Sequence, residues 1–262
     1  MLLKRGMKNV EVKELQKALD IPIDGDFGIK TEKAVKRYQK KNGLVVDGVA
    51  GPNTLKSLVL FGIAVKVTVR EYTSKEIIKQ VKSLSDFNSI PKGYWIVGVR
   101  NLEDQSDRFD DKFFLMKGEE IIMSTTGTTN PGLKIIKGGF KKYNKNGAAI
   151  IESDRIYHNV WVYGKHKNYM PALKQLGNVI TVFRDGDMDH LSEEIGIKMT
   201  GWYGINFHTA TRSYLADIVK SLIGGWSAGC CVCNNTKEYM QIINTIKESE
   251  QEKVTFCLLK EF

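Results

Sequence analysis

Two near-identical turns within the first sixty residues constrain the fold more than any other feature. Ile23-Asp24-Gly25-Asp26-Phe27-Gly28 is echoed by Val46-Asp47-Gly48-Val49-Ala50-Gly51, and each copy leads into a helix-opening sequence, Lys30-Thr31-Glu32 and then Pro52-Asn53-Thr54. Asp-Gly pairs suit tight turns, and Pro52 suits a first helical turn, where an amide hydrogen has no intrahelical partner to lose. Around the turns, apolar residues recur at helical spacing. Val12, Leu15 and Leu19 share one face, and Ala34, Val35 and Tyr38 share another. The repeat predicts three short helices joined by two like turns, a bundle over residues 1–62. A core that small is marginal unless the helices pack closely.

The pattern then changes. Val65, Val67 and Val69 alternate like a strand, Thr73-Ser74-Lys75-Glu76 reads as a capping box, and Ile77, Val81 and Leu84 share a helical face. Residues 63–88 are either a connector or the start of a second domain. Beyond them strands dominate. Tyr94 to Val99 is an apolar run, Phe113 to Met116 and Ile121 to Met123 flank a hairpin turn at Lys117-Gly118-Glu119-Glu120, and Ala148 to Ile151 and Val179 to Phe183 add more. Helical signal is confined to Tyr169–Leu176 and Lys237–Glu248. The expected fold class is α+β: a small three-helix bundle followed by a mostly β domain over residues 89–262.

Composition narrows the function classes. With 42% apolar and 26% charged residues the chain is globular rather than disordered. No apolar run approaches the roughly 20 residues of a membrane span, so integral membrane association is not expected. Met1 to Gly6 lacks the apolar segment of a signal peptide, which predicts synthesis in the cytoplasm without a leader. A net charge of +9 favours an anionic partner, of which nucleic acid, membrane surface and bacterial wall are the polymeric kinds. The lysines are scattered and no recognition-helix signature is present, so nucleic acid is not expected. Cys230, Cys231, Cys233 and Cys257 crowd into the end of the chain, unlike a disulfide framework, and read as reduced thiols.

The chemistry concentrates in Trp226-Ser227-Ala228-Gly229-Cys230-Cys231, preceded by Gly204-Ile205-Asn206-Phe207-His208. A free cysteine titrates about two units above neutral and needs a base or favourable dipoles to attack a carbonyl. His208 can supply the base. Ala228 and Gly229 leave room for the carbonyl, and their N–H groups with that of Cys230 can face the oxygen on which charge develops. A metal is not expected, and neither is a cofactor. Cys-Cys-x-Cys lacks the separation that lets a cysteine pair chelate zinc. Asp185-Gly186-Asp187-Met188-Asp189 has the opening rhythm of a calcium loop, but His190 stands where that loop needs glycine and Gly196 where it needs glutamate. It reads as a solvated turn.

Two family resemblances follow. Val12-Lys13-Glu14-Leu15-Gln16, Ile23 to Gly28, Thr31 with Ala34-Val35, Tyr38-Gln39, and Gly43-Leu44 through Gly51-Pro52 resemble the peptidoglycan-binding domain of bacterial and phage wall hydrolases. Residues 90–262 resemble the L,D-transpeptidase (YkuD-type) catalytic domain. The resemblance is carried by Ser124-Thr125-Thr126-Gly127, Asn130-Pro131-Gly132, the strand ending in His208, and the Gly225-Trp226-Ser227-Ala228-Gly229-Cys230 turn. Ala228 departs from the family's polar residue between Ser and Gly, and Val232 from its Arg or Asn beyond the cysteine.

The second resemblance implies Cys230 as nucleophile, His208 as base and later acid, the Thr209 carbonyl as the group that orients the imidazole, and the Ala228, Gly229 and Cys230 amides as the oxyanion site. Ser227 fixes the turn, and with Trp226 borders the bound substrate. His166 and His158 are candidates to line the cleft and hold stem-peptide carboxylates. Together these imply a phage endolysin-like hydrolase whose partner is bacterial peptidoglycan and which acts on the cell wall. It would cut an L–D stem-peptide bond through a thioester. The alternatives are a cross-linking L,D-transpeptidase and a non-catalytic wall-binding virion protein.

Overall fold

A computed structural model describes residues 2–59, 69–102, 106–189 and 191–262. Val65, Val67 and His190 lie outside the described residues. The chain divides into two compact units, Met1–Val67 and Thr68–Phe262.

The first unit holds three helices, α1 (Val10–Ala18), α2 (Ile29–Lys41) and α3 (Pro52–Val59). Asn9 caps α1 by accepting the Val12 N–H at 3.0 Å. Val12, Leu15 and Val35 are buried with Leu3, Phe27, Ala50, Leu55 and Leu58, and Leu19 and Tyr38 pack against them. The repeat has a physical basis that its turns alone do not reveal. In each copy a buried glutamine on the preceding helix holds the turn. Gln16 donates to Asp24 Oδ1 (2.6 Å), the Asp26 carbonyl (3.0 Å) and Thr31 Oγ1 (3.0 Å), and accepts from the N–H groups of Asp24 and Gly25. Gln39 repeats this with Asp47 Oδ1 (2.7 Å), the Val49 carbonyl (2.9 Å), Thr54 Oγ1 (2.9 Å) and the Gly48 N–H (2.9 Å). A buried amide with donor and acceptor both satisfied fixes one turn geometry and excludes others.

The second unit opens with α4 (Ser74–Lys82), whose capping box is complete, with Thr73 and Glu76 bonding reciprocally. Its elements then run β1 (Tyr94–Arg100), β2 (Asp111–Lys117), β3 (Glu120–Thr128), α5 (Leu133–Ile136), β4 (Ala148–Ile151), β5 (Arg155–His166), β6 (Met170–Gln175), β7 (Ile180–Asp185), β8 (Ile197–Gly201), β9 (Phe207–Thr209), β10 (Cys231–Cys233), α6 (Thr236–Glu248) and β11 (Val254–Lys260). Eight strands close into a barrel in the order β1-β11-β5-β6-β9-β10-β3-β2, and β4-β7-β8 form a separate three-stranded sheet.

Tyr169–Leu176, expected to be helical, instead contains strand β6. Its residues pair in antiparallel register with β5, from Trp161 opposite Gln175 to His166 opposite Met170. Tertiary pairing overrides the local signal, and Pro171 within the segment suits a strand better than a helix interior.

Strand β1 is apolar on both faces because both are covered. Ile96 points into the barrel with Phe113, Leu115, Trp161, Phe207 and Phe256, a core that also takes in Tyr239, Ile242, Ile243 and Ile246 of α6. Trp95, Val97 and Val99 point outward beneath Ile77, Ile78 and Val81 of α4. Helix α4 is therefore part of the second unit's core rather than a connector. At one end of the barrel, buried Arg100 donates to Thr129 Oγ1 (2.8 Å), the Ile151 carbonyl (2.8 Å) and Glu194 (2.9 Å). Asp111 accepts from the Asn101 and Thr129 amides, which fixes the chain as it leaves β3 for the site.

Candidate active site

The site lies where β9 and β10, two strands of three residues each, pair in parallel with Val232 opposite His208. Cys230 sits one residue before β10, beside the end of the chain entering β9. The Asn206 N–H reaches its Sγ at 3.5 Å, the thiol faces the Gly204 carbonyl at 3.5 Å, and the Cys231 N–H bonds the Asn206 carbonyl at 2.9 Å. In an extended chain residues two apart share a face, so the Asn206 and His208 side chains project to the same side. Asn206 Nδ2 donates to His166 Nδ1 at 3.0 Å, and the His166 ring stacks on His208 with centroids 4.2 Å apart and planes 17° from parallel. Cysteine, asparagine and two imidazoles thus form one contiguous group.

His208 is fully buried, and its Nδ1 faces the Thr209 carbonyl at 2.9 Å. A carbonyl only accepts, so Nδ1 carries the hydrogen and Nε2 carries the lone pair. That Nε2 has no hydrogen-bond partner. Burial, then the charges of His166 and Lys167, push the His208 pKa down to about 3, against the pull of the Thr209 carbonyl. Burial and the charges of Lys167 and Lys174 push His166 down to about 4. Both rings are neutral near neutral pH. Burial also raises the Cys230 thiol above its ordinary range, while the Asn206 N–H and the Lys167 charge pull the other way. The resting pair is therefore thiol and imidazole, not thiolate and imidazolium, and the thiol's own contact is the Gly204 carbonyl.

The nucleophile turn is built by Ser227, which is fully buried. Its hydroxyl donates to the Cys230 carbonyl at 2.9 Å and accepts the Gly229 N–H at 3.2 Å. Two expectations change in consequence. Ser227 spends its hydroxyl inside the turn rather than on substrate, and the Gly229 N–H is engaged by Ser227, which leaves the Ala228 and Cys230 amides as the oxyanion candidates. The Asn130-Pro131-Gly132 run braces the turn from outside through the Gly132 N–H on the Ser227 carbonyl at 3.0 Å.

Gly229 has φ +126°, and a Cβ there would stand 2.6 Å from the Ala149 carbonyl oxygen. A Gly229→Ala variant should lose about 2 kcal/mol or more of stability and most of its activity, because the left-handed backbone and the clash act at one position. Urea unfolding beside a turnover assay checks this.

A cleft of about 410 Å³ opens beside the sulfur and is lined by His166, Lys167, Arg184, Tyr203, Trp226 and Cys230, among others. The Lys167 ammonium lies 5.9 Å from the Trp226 ring centre, and the Arg184 guanidinium lies 4.6 Å from that of Tyr203. His166 lines the cleft as a neutral ring, and the positive charge comes from Lys167 and Arg184. His158 is exposed near the start of β5, and its carbonyl accepts from Asn178 Nδ2. It does not line this cleft, because the long strand carries it away from the end that bears His166. Nothing local in the sequence marks Arg184 or Tyr203, which reach the cleft from the three-stranded sheet and the loop after it.

Cys231, Cys233 and Cys257 are buried, with thiols pushed well above the ordinary range by desolvation, and all four cysteines are free. Among the described residues no helix is long and apolar enough to cross a membrane.

Comparison with known proteins bears on the two units unequally. The chain is 42% identical over 69 residues to the N-acetylmuramoyl-L-alanine amidase CwlL of Bacillus licheniformis, an alignment covering 23% of this chain and 19% of that protein. It spans only 9% to 25% of the lengths of the curated relatives it matches. Among solved structures it aligns with a fused Zn-dependent amidase/peptidase/peptidoglycan-binding domain-containing protein of Clostridium acetobutylicum, at 16% identity and TM-score 0.30, over 98% of this chain and 99% of that one. It also aligns with an L,D-transpeptidase of Xylanimonas cellulosilytica at 16% identity and TM-score 0.27, over 98% and 97%. Scores this low say nothing about the fold. Residues 8–58, which hold α1, α2, all but the last residue of α3 and both glutamine-held turns, match the family described as "Putative peptidoglycan binding domain".

Proposed function

We propose that this chain is a cysteine-dependent peptidoglycan hydrolase. Its first unit holds the wall while the second cleaves an L–D peptide bond of the stem. The observation that carries the reading is the His208 imidazole: buried, fixed in one tautomer by the Thr209 carbonyl, with an unpaired Nε2 lone pair, on the strand that pairs with β10 directly after Cys230. A buried acceptor without a donor costs free energy, which a transferred proton would repay during reaction.

The chemistry follows from those roles. The Cys230 sulfur attacks the carbonyl carbon of the L-residue as its proton passes to His208 Nε2. The oxyanion is held by the Ala228 and Cys230 amides. Collapse breaks the C–N bond, and the departing D-residue amine takes the proton from His208. Water then attacks the thioester, His208 removes its proton, and the acid product and free thiol are regenerated. The thiol must first rotate away from the Gly204 carbonyl, which substrate occupancy of the cleft would favour.

Water rather than an amine is the acceptor in this reading because Lys167 and Arg184 line the cleft. Two cations disfavour an incoming ammonium group and suit the carboxylates of a stem peptide. Tethering through the first unit raises the local concentration of the wall.

Digestion of defined muropeptides followed by mass spectrometry tests the proposal. Products heavier by one water and split at an L–D bond are expected, and they should vanish in Cys230→Ala and persist in Cys231→Ala. Cross-linked products in excess of hydrolysed ones when an amine acceptor is supplied would make the protein a transpeptidase instead. Wall binding without turnover in the wild type would leave it a binding protein.

A further inference from the structure

Ile180, Val182 and Arg184 stand at alternate positions of β7 and so share one face of its sheet. The first two are fully buried in the barrel core with Ala149 and Ile151 of β4. Arg184 continues that apolar face as a cation, where it opens into the cleft beside Cys230. Register ties it to the nucleophile turn. Arg184 pairs with Ala149 across the β4–β7 ladder, and directly opposed residues project to the same side. A Cβ added to Gly229 would stand 2.7 Å from the Ala149 Cβ, so the turn that bears Cys230 rests on Ala149. Arg184 is one strand, about 5 Å, beyond that contact.

The guanidinium has no counter-charge. Arg184 is 7% exposed, its Nε has no hydrogen-bond partner, and none of the carboxylates among the described residues pairs with it. Other buried cations differ: Arg100 pairs with Glu194, and Lys112 with Glu71. The Tyr203 ring, 4.6 Å away, gives the cation a π face but no negative charge. Burial draws the Arg184 pKa below its ordinary value, and the Tyr203 phenol offsets this only in part. A buried charge without a partner is costly, and a bound anion that supplies the partner recovers the cost.

We propose that Arg184 binds a carboxylate of the stem peptide and selects stems in which that carboxylate is free over stems in which it is amidated. The proposal rests on the reading of the cleft as a stem-peptide site. Arginine carries five N–H donors and no acceptor. A carboxylate brings two acceptor oxygens in a matching fork, whereas an amide turns an NH2 group toward those donors and brings no charge. Lys167, the other cation of the cleft, is exposed, so solvent screens it and its discrimination is weak.

Calorimetry at pH 7 on the full chain carrying Cys230→Ala, with synthetic stem tetrapeptides, tests the site without turnover. Stem carboxylates stand at the C-terminus and along the peptide, so each is amidated in turn. One of these amidations should weaken binding by about 10–100-fold, the worth of a charge-assisted hydrogen bond, and its position identifies the carboxylate. With Arg184→Met added, acid and amide should bind alike, at the weaker level. Arg184→Lys should keep part of the preference, because the charge remains and the fork does not. The melting temperature of Arg184→Met should match or exceed its parent's, since an unpaired charge has left the interior. A marked fall would assign the arginine to the fold and overturn the proposal. So would peptides that bind with no preference for the free acid at any position, or a preference that survives in Arg184→Met. Stems that bind with the preference but are not cut by the wild type would sink the hydrolase reading alone, and stems that do not bind would sink both.

Discussion

Replacing His208 with asparagine should lower turnover by about 10²–10⁴-fold, the range expected for loss of a general base, and should make the second unit more resistant to acid. Asparagine can still donate to the Thr209 carbonyl but offers no imidazole to take a proton. The acid effect follows from linkage. His208 has an ordinary value of 6.5 in the unfolded chain and about 3 in the fold. Between those values the unfolded state binds a proton that the folded state refuses, so stability is complete above pH 6.5 and falls as the pH drops. The slope is about 1.4 kcal/mol per pH unit for each such ring. His166, at about 4 in the fold, adds a second proton over most of the same window.

Urea unfolding between pH 7 and pH 5 should therefore show a shallower decline for His208→Asn than for the wild type. Equal slopes would mean that the ring titrates normally in the fold, and the neutral-base mechanism would fall with it. The same picture predicts that iodoacetamide labels Cys230 before the three buried cysteines, at a rate that keeps rising above pH 9 rather than levelling near neutrality, since burial raises that thiol above its ordinary 9.0.

The second large effect belongs to the first unit. Gln16→Leu and Gln39→Leu preserve volume but strip each turn of its central amide. Each leaves a threonine hydroxyl, an aspartate and a glycine N–H without their partner. The aspartates are exposed and water can satisfy them, but the threonine hydroxyl and the glycine N–H are buried, and leaving buried polar groups unsatisfied costs about 1–3 kcal/mol apiece, so either change should cost about 2–6 kcal/mol and the pair roughly twice that. A bundle of this size has little stability to lose. The double variant should lose its first unit and its retention on purified cell walls, while the second unit keeps its own unfolding transition and its turnover of soluble muropeptides. Calorimetry and co-sedimentation read the two effects separately. Retention that survives loss of the first unit's transition would place wall binding elsewhere in the chain.

The contrast between these residues explains what could be read from the chain beforehand. The turns around Gly25 and Gly48 were legible because Asp-Gly followed by a helix start is a local signal, and it occurs twice. Gln16 and Gln39 were not, because a glutamine on an amphipathic helix looks like surface until the turn folds over it. The hairpin around Gly118 and the capping box at Thr73 were legible for the same local reason. Strand β6 was not, since its identity comes from β5 beside it. At the site, the chain order of His208 and Cys230 was visible, as was the Ser-x-Gly-Cys turn. The stacking of His166 on His208 and the arrival of Arg184 from another sheet depend on contacts between distant segments.

One consequence of the barrel concerns its birth. Strand β11 is inserted between β1 and β5, parallel to the first and antiparallel to the second, so it bridges two strands that are both made long before it. A nascent chain can complete its first unit early, since domains fold in turn from the N-terminal side, but must keep β1 and β5 apart until β11 arrives. During that wait Cys231 and Cys233 lack the closed core that later hides them, and Cys257 travels on the late strand itself. Production under oxidising conditions should thus trap mixed disulfides that a reductant prevents only while synthesis or refolding is under way.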